Sequence, residues 1–160
     1  MQEKNLKTEA KQRNLLRFIH AQDFGGIYDN TSTYNHALEE IKKGCKKSHW
    51  IWYIFPQLEG LGFSEMAQYY GIKNLEEARA YLADSELCSR LVEISRALLA
   101  LDSSDATAVM GYPDDLKLKS CMTLFLLAAQ KDSAEAALFQ AVLDKFFGGK
   151  SDERTVQMCR

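Results

Sequence analysis

Proline is scarce, with Pro56 and Pro113 the only two in 160 residues, so long helices run uninterrupted by the residue that most often breaks them. Neither sign of charge dominates. Twenty basic side chains against twenty-two acidic ones leave a formal charge of -2, which gives no field to recruit a polyanion and disfavours general nucleic-acid binding. No stretch approaches the roughly 18 apolar residues that a membrane span needs. The first residues, Met1 to Ala10, are polar and of mixed sign, unlike a signal-peptide core or an acid-poor transit peptide, so a cytoplasmic location is expected. Cys45, Cys88, Cys121 and Cys159 stand far apart, with no Cys-x-x-Cys and no His-x-x-x-His beside them. Neither a metal site nor a disulfide framework is read, and reduced thiols are expected. A Walker loop, a nucleophile elbow and His-Glu-x-x-His are also missing, so no cofactor and no familiar hydrolase is implied.

What is present is the composition of an ordinary soluble globular protein, 46% hydrophobic and 26% charged. A chain of this size hides roughly 70% of its unfolded surface on folding. One domain over 1–160 is expected, with a core over 13–150 and a tail over 151–160. Apolar residues recur at helical spacing almost throughout. Leu15, Phe18, Ile19 and Gln22 share one face of a helix over about 5–22, and Tyr34, Ala37, Leu38 and Ile41 share one face of a second, with Glu39 and Glu40 outward. Ser64 opens a short helix and Asn74, three residues before Glu77, opens another. Ser85 is read as the cap of a long helix with Leu87, Leu91, Ile94 and Leu98 as its seam. Asp114 and Asp115 start a helix that turns apolar all round from Cys121 to Ala129 and so belongs at the centre. Asp132 is read as the cap of the last helix, through Leu138, Val142 and Phe146. The fold class is all-α: a compact single-domain bundle of about seven helices.

The stretch Ser48 to Leu58 stands out. Six large apolar residues in a row, Trp50 to Phe55, hold both tryptophans, and Pro56 with no second strand-like segment argues for a short helix or irregular buried segment. Polar groups lie at both ends, His49 before the run and Gln57 after it. His49 is the catalytic candidate, since an imidazole titrates near pH 6.5 and can move a proton at neutral pH; a buried imidazole bonded to a carbonyl is its rival. Trp50 and Trp52 can stack a planar ligand. Packing alone also explains them, because each buried Trp hides about 150–250 Å², roughly 4–6 kcal/mol at about 25 cal/mol per Å².

Lysines bracket the approach to this run. Lys42 and Lys43 suit the last turn of a helix, where they offset its dipole, whereas Lys46 and Lys47 lie beyond it, and Lys47 beside Ser48 is a candidate anion contact. A second candidate cluster follows Pro113: Asp114, Asp115, Lys117 and Lys119. A helix start with lysines nearby can bind an anion. Asp115 and Lys119, four apart, can equally be a surface ion pair.

Arg17 to Gln22, the run Lys47-Ser48-His49-Trp50-Ile51-Trp52-Tyr53-Ile54-Phe55-Pro56-Gln57-Leu58 with Gly60-Leu61-Gly62, Tyr70-Gly71-Ile72, Glu77 to Leu82, Pro113-Asp114-Asp115-Leu116-Lys117-Leu118-Lys119-Ser120 and Phe147-Gly148-Gly149 resemble an uncharacterised bacterial family, domain of unknown function eighteen-ten. The resemblance spans about 13–156, with Gly25 to Thr33 an apparent insertion, and implies a compact, mainly helical domain. Members often carry the label calpastatin. Such inhibitors are disordered segments, whereas two Trp and eight Phe could not stay solvated here. Ala21-Gln22 with the Trp-rich stretch is also similar to aromatic motifs of a predicted NAD- and ADP-ribose-processing family, without a residue-by-residue correspondence.

The functional expectation is a small-molecule ligand of nucleotide or sugar-phosphate type, held by Lys47, Ser48, Trp50, Trp52, Gln57, Asp114, Asp115, Lys117 and Lys119, with acid/base chemistry at His49. The alternatives are a protein-interaction module using the aromatic 48–58 stretch, and motifs that serve the fold alone.

Overall fold

The computed structural model describes residues 15–26 and 29–160, so the start of the first helix expected from the sequence lies outside the described residues. The fold is all-α. Helix α1 covers 15–24, followed by α2 (Tyr34–Lys42), α3 (Ile51–Ile54), α4 (Glu65–Tyr69), α5 (Leu75–Ala83), α6 (Ser85–Leu99), α7 (Ala106–Met110), α8 (Asp114–Ala128), α9 (Ala134–Phe147) and α10 (Glu153–Met158). Among the described residues the only β pairing is an isolated parallel bridge between Leu58 and Ile72.

Helix α8 is the centre because it has no polar face in its second half. Leu118, Cys121, Met122, Leu124 and Phe125 are all fully buried, and α5, α7, α9 and α10 pack around it. Helix α6 supplies the expected seam of Leu87, Leu91, Ile94 and Leu98, laid between α2 and α9. The all-apolar run from Trp50 is interior. It forms the single turn α3, with Trp50, Ile51, Tyr53 and Phe55 at 1% exposure or less, and Phe55, ahead of Pro56, leaves the helical region with φ -123° and ψ 72°, as a residue before proline tends to. Helix α1 is pinned to this run by Gln22, whose buried amide donates to the Tyr53 carbonyl at 2.9 Å and the Tyr81 hydroxyl at 3.2 Å.

Four local expectations are corrected. Glu40 is buried beside Ala37 and Ile41, not outward with Glu39. The cap of α6 is Asp84, which accepts from Glu86 and Leu87 N–H, and Ser85 is the first helical residue. The cap of α9 is Ser133, which accepts from Ala136 N–H, while Asp132 takes a left-handed φ of 64° in the turn before it. Residues 151–160 hold α10, opened by Asp152 and anchored by the buried Thr155.

Candidate functional site

Lys46 and Asp114 bring the two sequence motifs together. The chain leaves α2 through Gly44, whose φ of 78° suits a residue without Cβ, and Lys46 N–H then donates to the Val109 carbonyl at 2.7 Å. This backbone bond seats the lysine at the entry to α8. Lys46 Nζ, with its side chain only 6% exposed, pairs with Asp114 Oδ2 at 2.7 Å, donates to the Ser48 carbonyl and lies 4.9 Å from the centroid of the Trp50 ring. Lys117 reaches the same carboxylate at 3.5 Å and places its ammonium 5.3 Å from the centroid of the Trp52 ring. A cation over an indole face adds about 0.5–1 kcal/mol where solvent reaches it.

Beneath this joint Glu40 gathers the Lys47 to Trp50 segment. Its Oε1 accepts from the backbone N–H of Lys47 and Ser48, both at 3.0 Å, and from Trp50 Nε1 at 2.8 Å. Its Oε2 accepts from Ser48 Oγ at 2.7 Å and lies 3.1 Å from His36 Nε2. Burial pushes this carboxyl up, but the bonds from Lys47, Ser48 and Trp50 outweigh it and hold its pKa at about 2. His36 Nε2 is also 2.9 Å from Ser48 Oγ. With the hydroxyl hydrogen turned to Glu40, this nitrogen must be the donor, so its lone pair is not aimed at the serine. That is the reverse of an activated nucleophile.

The Trp52 indole N–H is different from that of Trp50. It is buried and has no hydrogen-bond partner among the described residues.

Residues 12–159 match the model of the family described as "Protein of unknown function (DUF1810)". The chain belongs to this family. A solved structure, that of the conserved hypothetical protein Rv1873 from Mycobacterium tuberculosis at 1.38 Å, is similar to this DUF1810 chain with 40% identity and a TM-score of 0.81, covering 91% of this chain and 96% of that one. No curated protein matches.

Within this DUF1810 fold the candidate residues divide. Ser48 and Trp50 are engaged by Glu40, and Asp115 is buried and accepts from Thr107 Oγ1 at 2.7 Å. The alternative ion pair between Asp115 and Lys119 is therefore not formed. Lys47 contributes its backbone to Glu40 and leaves its side chain exposed, as is His49. The buried imidazole bonded to a carbonyl is thus excluded. His49 lies towards Asp29, whose pKa of about 2 is set chiefly by bonds from Ser32 and Thr31 with a smaller contribution from His49. The Gln57 amide lies against the Gly62 turn, where an added Cβ would meet it at 3.5 Å and Ala67 at 2.8 Å. Lys119 is half-buried. Sequence reasoning missed Glu40 and His36, and Trp50 was the one available signal: a fully buried indole needs an acceptor, and Glu40 follows Ala37 and precedes Ile41 on the buried face.

Among the described residues no group of three or more His, Cys, Asp or Glu is placed to hold a metal ion. No helix among them is long and apolar enough to cross a membrane.

Proposed function

We propose that the chain binds a small polar anion of the nucleotide or sugar-phosphate class on the face where Trp52 meets Lys117, with His49 as the group that moves a proton. The observation that carries this reading is the buried, unpartnered Trp52 N–H with an ammonium beside its ring. Leaving a buried donor unpaired costs roughly 1–3 kcal/mol, and a ligand's acceptor oxygen recovers it once the edge of the indole opens to admit it. A donor beside a cation selects an acceptor that carries negative charge. Asp114 does not cancel this preference, because Lys46 neutralises it at 2.7 Å while Lys117 holds it only at 3.5 Å. Since Ser48, Trp50 and Asp115 are used within the fold and Asp114 is paired with Lys46, the ligand contacts proposed are Trp52, Lys117, Lys119, Lys47, Gln57 and His49.

The test is a thermal-shift series with nucleoside phosphates, dinucleotide fragments and sugar phosphates. A ligand at about 100 times its Kd adds about 2.7 kcal/mol, which raises the midpoint by about 5–11 °C in a chain of this length. Lys117→Met and His49→Gln, at solvent-reachable positions, keep the midpoint of the free protein within about 2 °C and lose the ligand shift. Trp52→Phe keeps a ring for stacking but not the donor, and weakens the ligand about ten-fold. If no compound in the series moves the midpoint, the small-molecule reading is wrong. The reading in which the motifs serve the fold alone then gains, because Trp50, Tyr53 and Phe55 of the 48–58 stretch, which the protein-interaction reading would use, are interior.

A further inference from the structure

The far end of α8 borders an open trough with no connection to the Trp52 face. Two cavities, of about 660 and 580 Å³, share Leu82, Cys88 and Glu135 as a common wall. Each falls in the range of about 300–1,000 Å³ typical of small-molecule sites. Helix α8 has 15 residues, which at about 1.5 Å per residue separates its two ends by roughly 22 Å.

The trough is built where α5 and α8 end and α6 and α9 begin. Leu82 and Ala83 from α5 and Ala128 and Ala129 from the end of α8 give it an apolar side. Arg79 and Arg96 line it from exposed positions, where water solvates their charge. Glu93, also on the wall, is already bonded to the Tyr34 hydroxyl. Glu135 is the exception. It is half-buried, faces both cavities, and has neither an ion pair nor a side-chain hydrogen bond among the described residues. Its carboxylate stands close enough to Cys88 that, after burial itself, it is what pushes that thiol's pKa up. The first turn of α9 favours an acid, which accounts for a glutamate at this position. It does not account for a half-buried carboxylate beside an apolar wall that forms no ion pair among the described residues, with Arg79 and Arg96 of the same trough exposed.

We propose that this trough is a second small-molecule site, for a ligand with an apolar body and one cationic amine or guanidinium end, the body along Leu82, Ala83, Ala128 and Ala129 and the cation on Glu135.

Cys88 reports on occupancy. The full unaltered chain is alkylated with iodoacetamide, and the rate at Cys88 is read by peptide mass spectrometry in the presence of 4-phenylbutylamine, 4-phenylbutanol or 4-phenylbutanoate. The amine is expected to slow Cys88 alkylation, with a half-effect concentration roughly ten-fold below that of the alcohol and lower still than that of the acid. Alkylation of Cys45, which is exposed elsewhere, stays unchanged. Glu135→Gln brings the amine to the level of the alcohol, and Ala83→Trp, at an exposed position, removes protection by all three. The proposal fails if the acid protects as well as the amine, if Glu135→Gln leaves the amine's half-effect concentration where it was, or if none of the probes protects Cys88.

Discussion

Glu40→Ala is expected to lower the unfolding free energy by about 3–6 kcal/mol, because it strips the acceptor from two backbone N–H groups, the Trp50 indole and the Ser48 hydroxyl at once. Each buried donor left unpaired costs roughly 1–3 kcal/mol. In a chain of this length the midpoint falls by about 6–24 °C. Glu40→Gln keeps one carbonyl oxygen for the three donors that share Oε1 but loses the charge and turns an amide towards Ser48 and His36, so about half the loss is expected. Urea unfolding checks both, and a loss below about 1 kcal/mol for the alanine variant contradicts the central role of this carboxylate.

The same group gives an acid dependence with a definite sign. Its carboxyl sits at about 2 in the folded chain against an ordinary 4.5, so the folded state holds the ionised form more tightly. The stability it contributes is complete above about pH 4.5 and is lost as pH falls from there through about 2. A difference of this size corresponds to about 3 kcal/mol. Asp29 is also held at about 2 and titrates in the same window. The diagnostic is therefore the difference between the wild-type and Glu40→Gln curves: it shrinks on acidification below pH 4.5 and is flat above it. A difference that stays constant down to pH 2 shows that the carboxylate is not held this way.

The helices were legible because their apolar stripes repeat at 3.6 residues: Leu87, Leu91, Ile94 and Leu98 are buried together on α6, and the all-round apolar half of α8 became the centre of the bundle. Capping was legible only where one candidate stood alone, as with Asn74, which accepts from Glu77 N–H. Where two capping residues adjoin, Asp84 with Ser85 and Asp132 with Ser133, composition gives no means of choosing between them. Helix α10 was missed because six residues are too few to show a period and no glycine marks its end, as Gly71 does shortly after the five-residue α4. Glu40 was misread for a deeper reason. A charged residue reads as surface, and two of its partners are backbone N–H groups, which leave no mark in a sequence. The two tryptophans looked equivalent for a related reason: one indole N–H meets Glu40 and the other meets no acceptor among the described residues, a difference set by how α2 lies against the 47–50 segment.

The contact between the two motifs gives the second large effect. Lys46→Met removes a nearly buried ammonium that binds Asp114 at 2.7 Å, the Ser48 carbonyl and the face of Trp50. It leaves Asp114 with the 3.5 Å contact to Lys117. Breaking a buried pair from one side costs about 3–5 kcal/mol, and because Asp114 keeps 18% exposure a loss of about 2–4 kcal/mol is expected. Asp114→Asn is expected to cost less, since the ammonium retains the Ser48 carbonyl and the indole face. The double variant removes both members of the 2.7 Å pair and unpairs only Lys117, whose contact is the longer one at 3.5 Å, so it should be more stable than the sum of the two losses implies, with a coupling of about 1–3 kcal/mol. Additivity within about 0.5 kcal/mol would mean that Lys46 and Asp114 do not hold the motifs together. The cycle also separates support from contact at the Trp52 face: Lys46 lies over Trp50 and Lys117 over Trp52. Loss of Lys46 should therefore weaken an anionic ligand only as far as it loosens the entry to α8, and the double variant should restore part of that affinity, whereas no second substitution at Asp114 should rescue Lys117→Met.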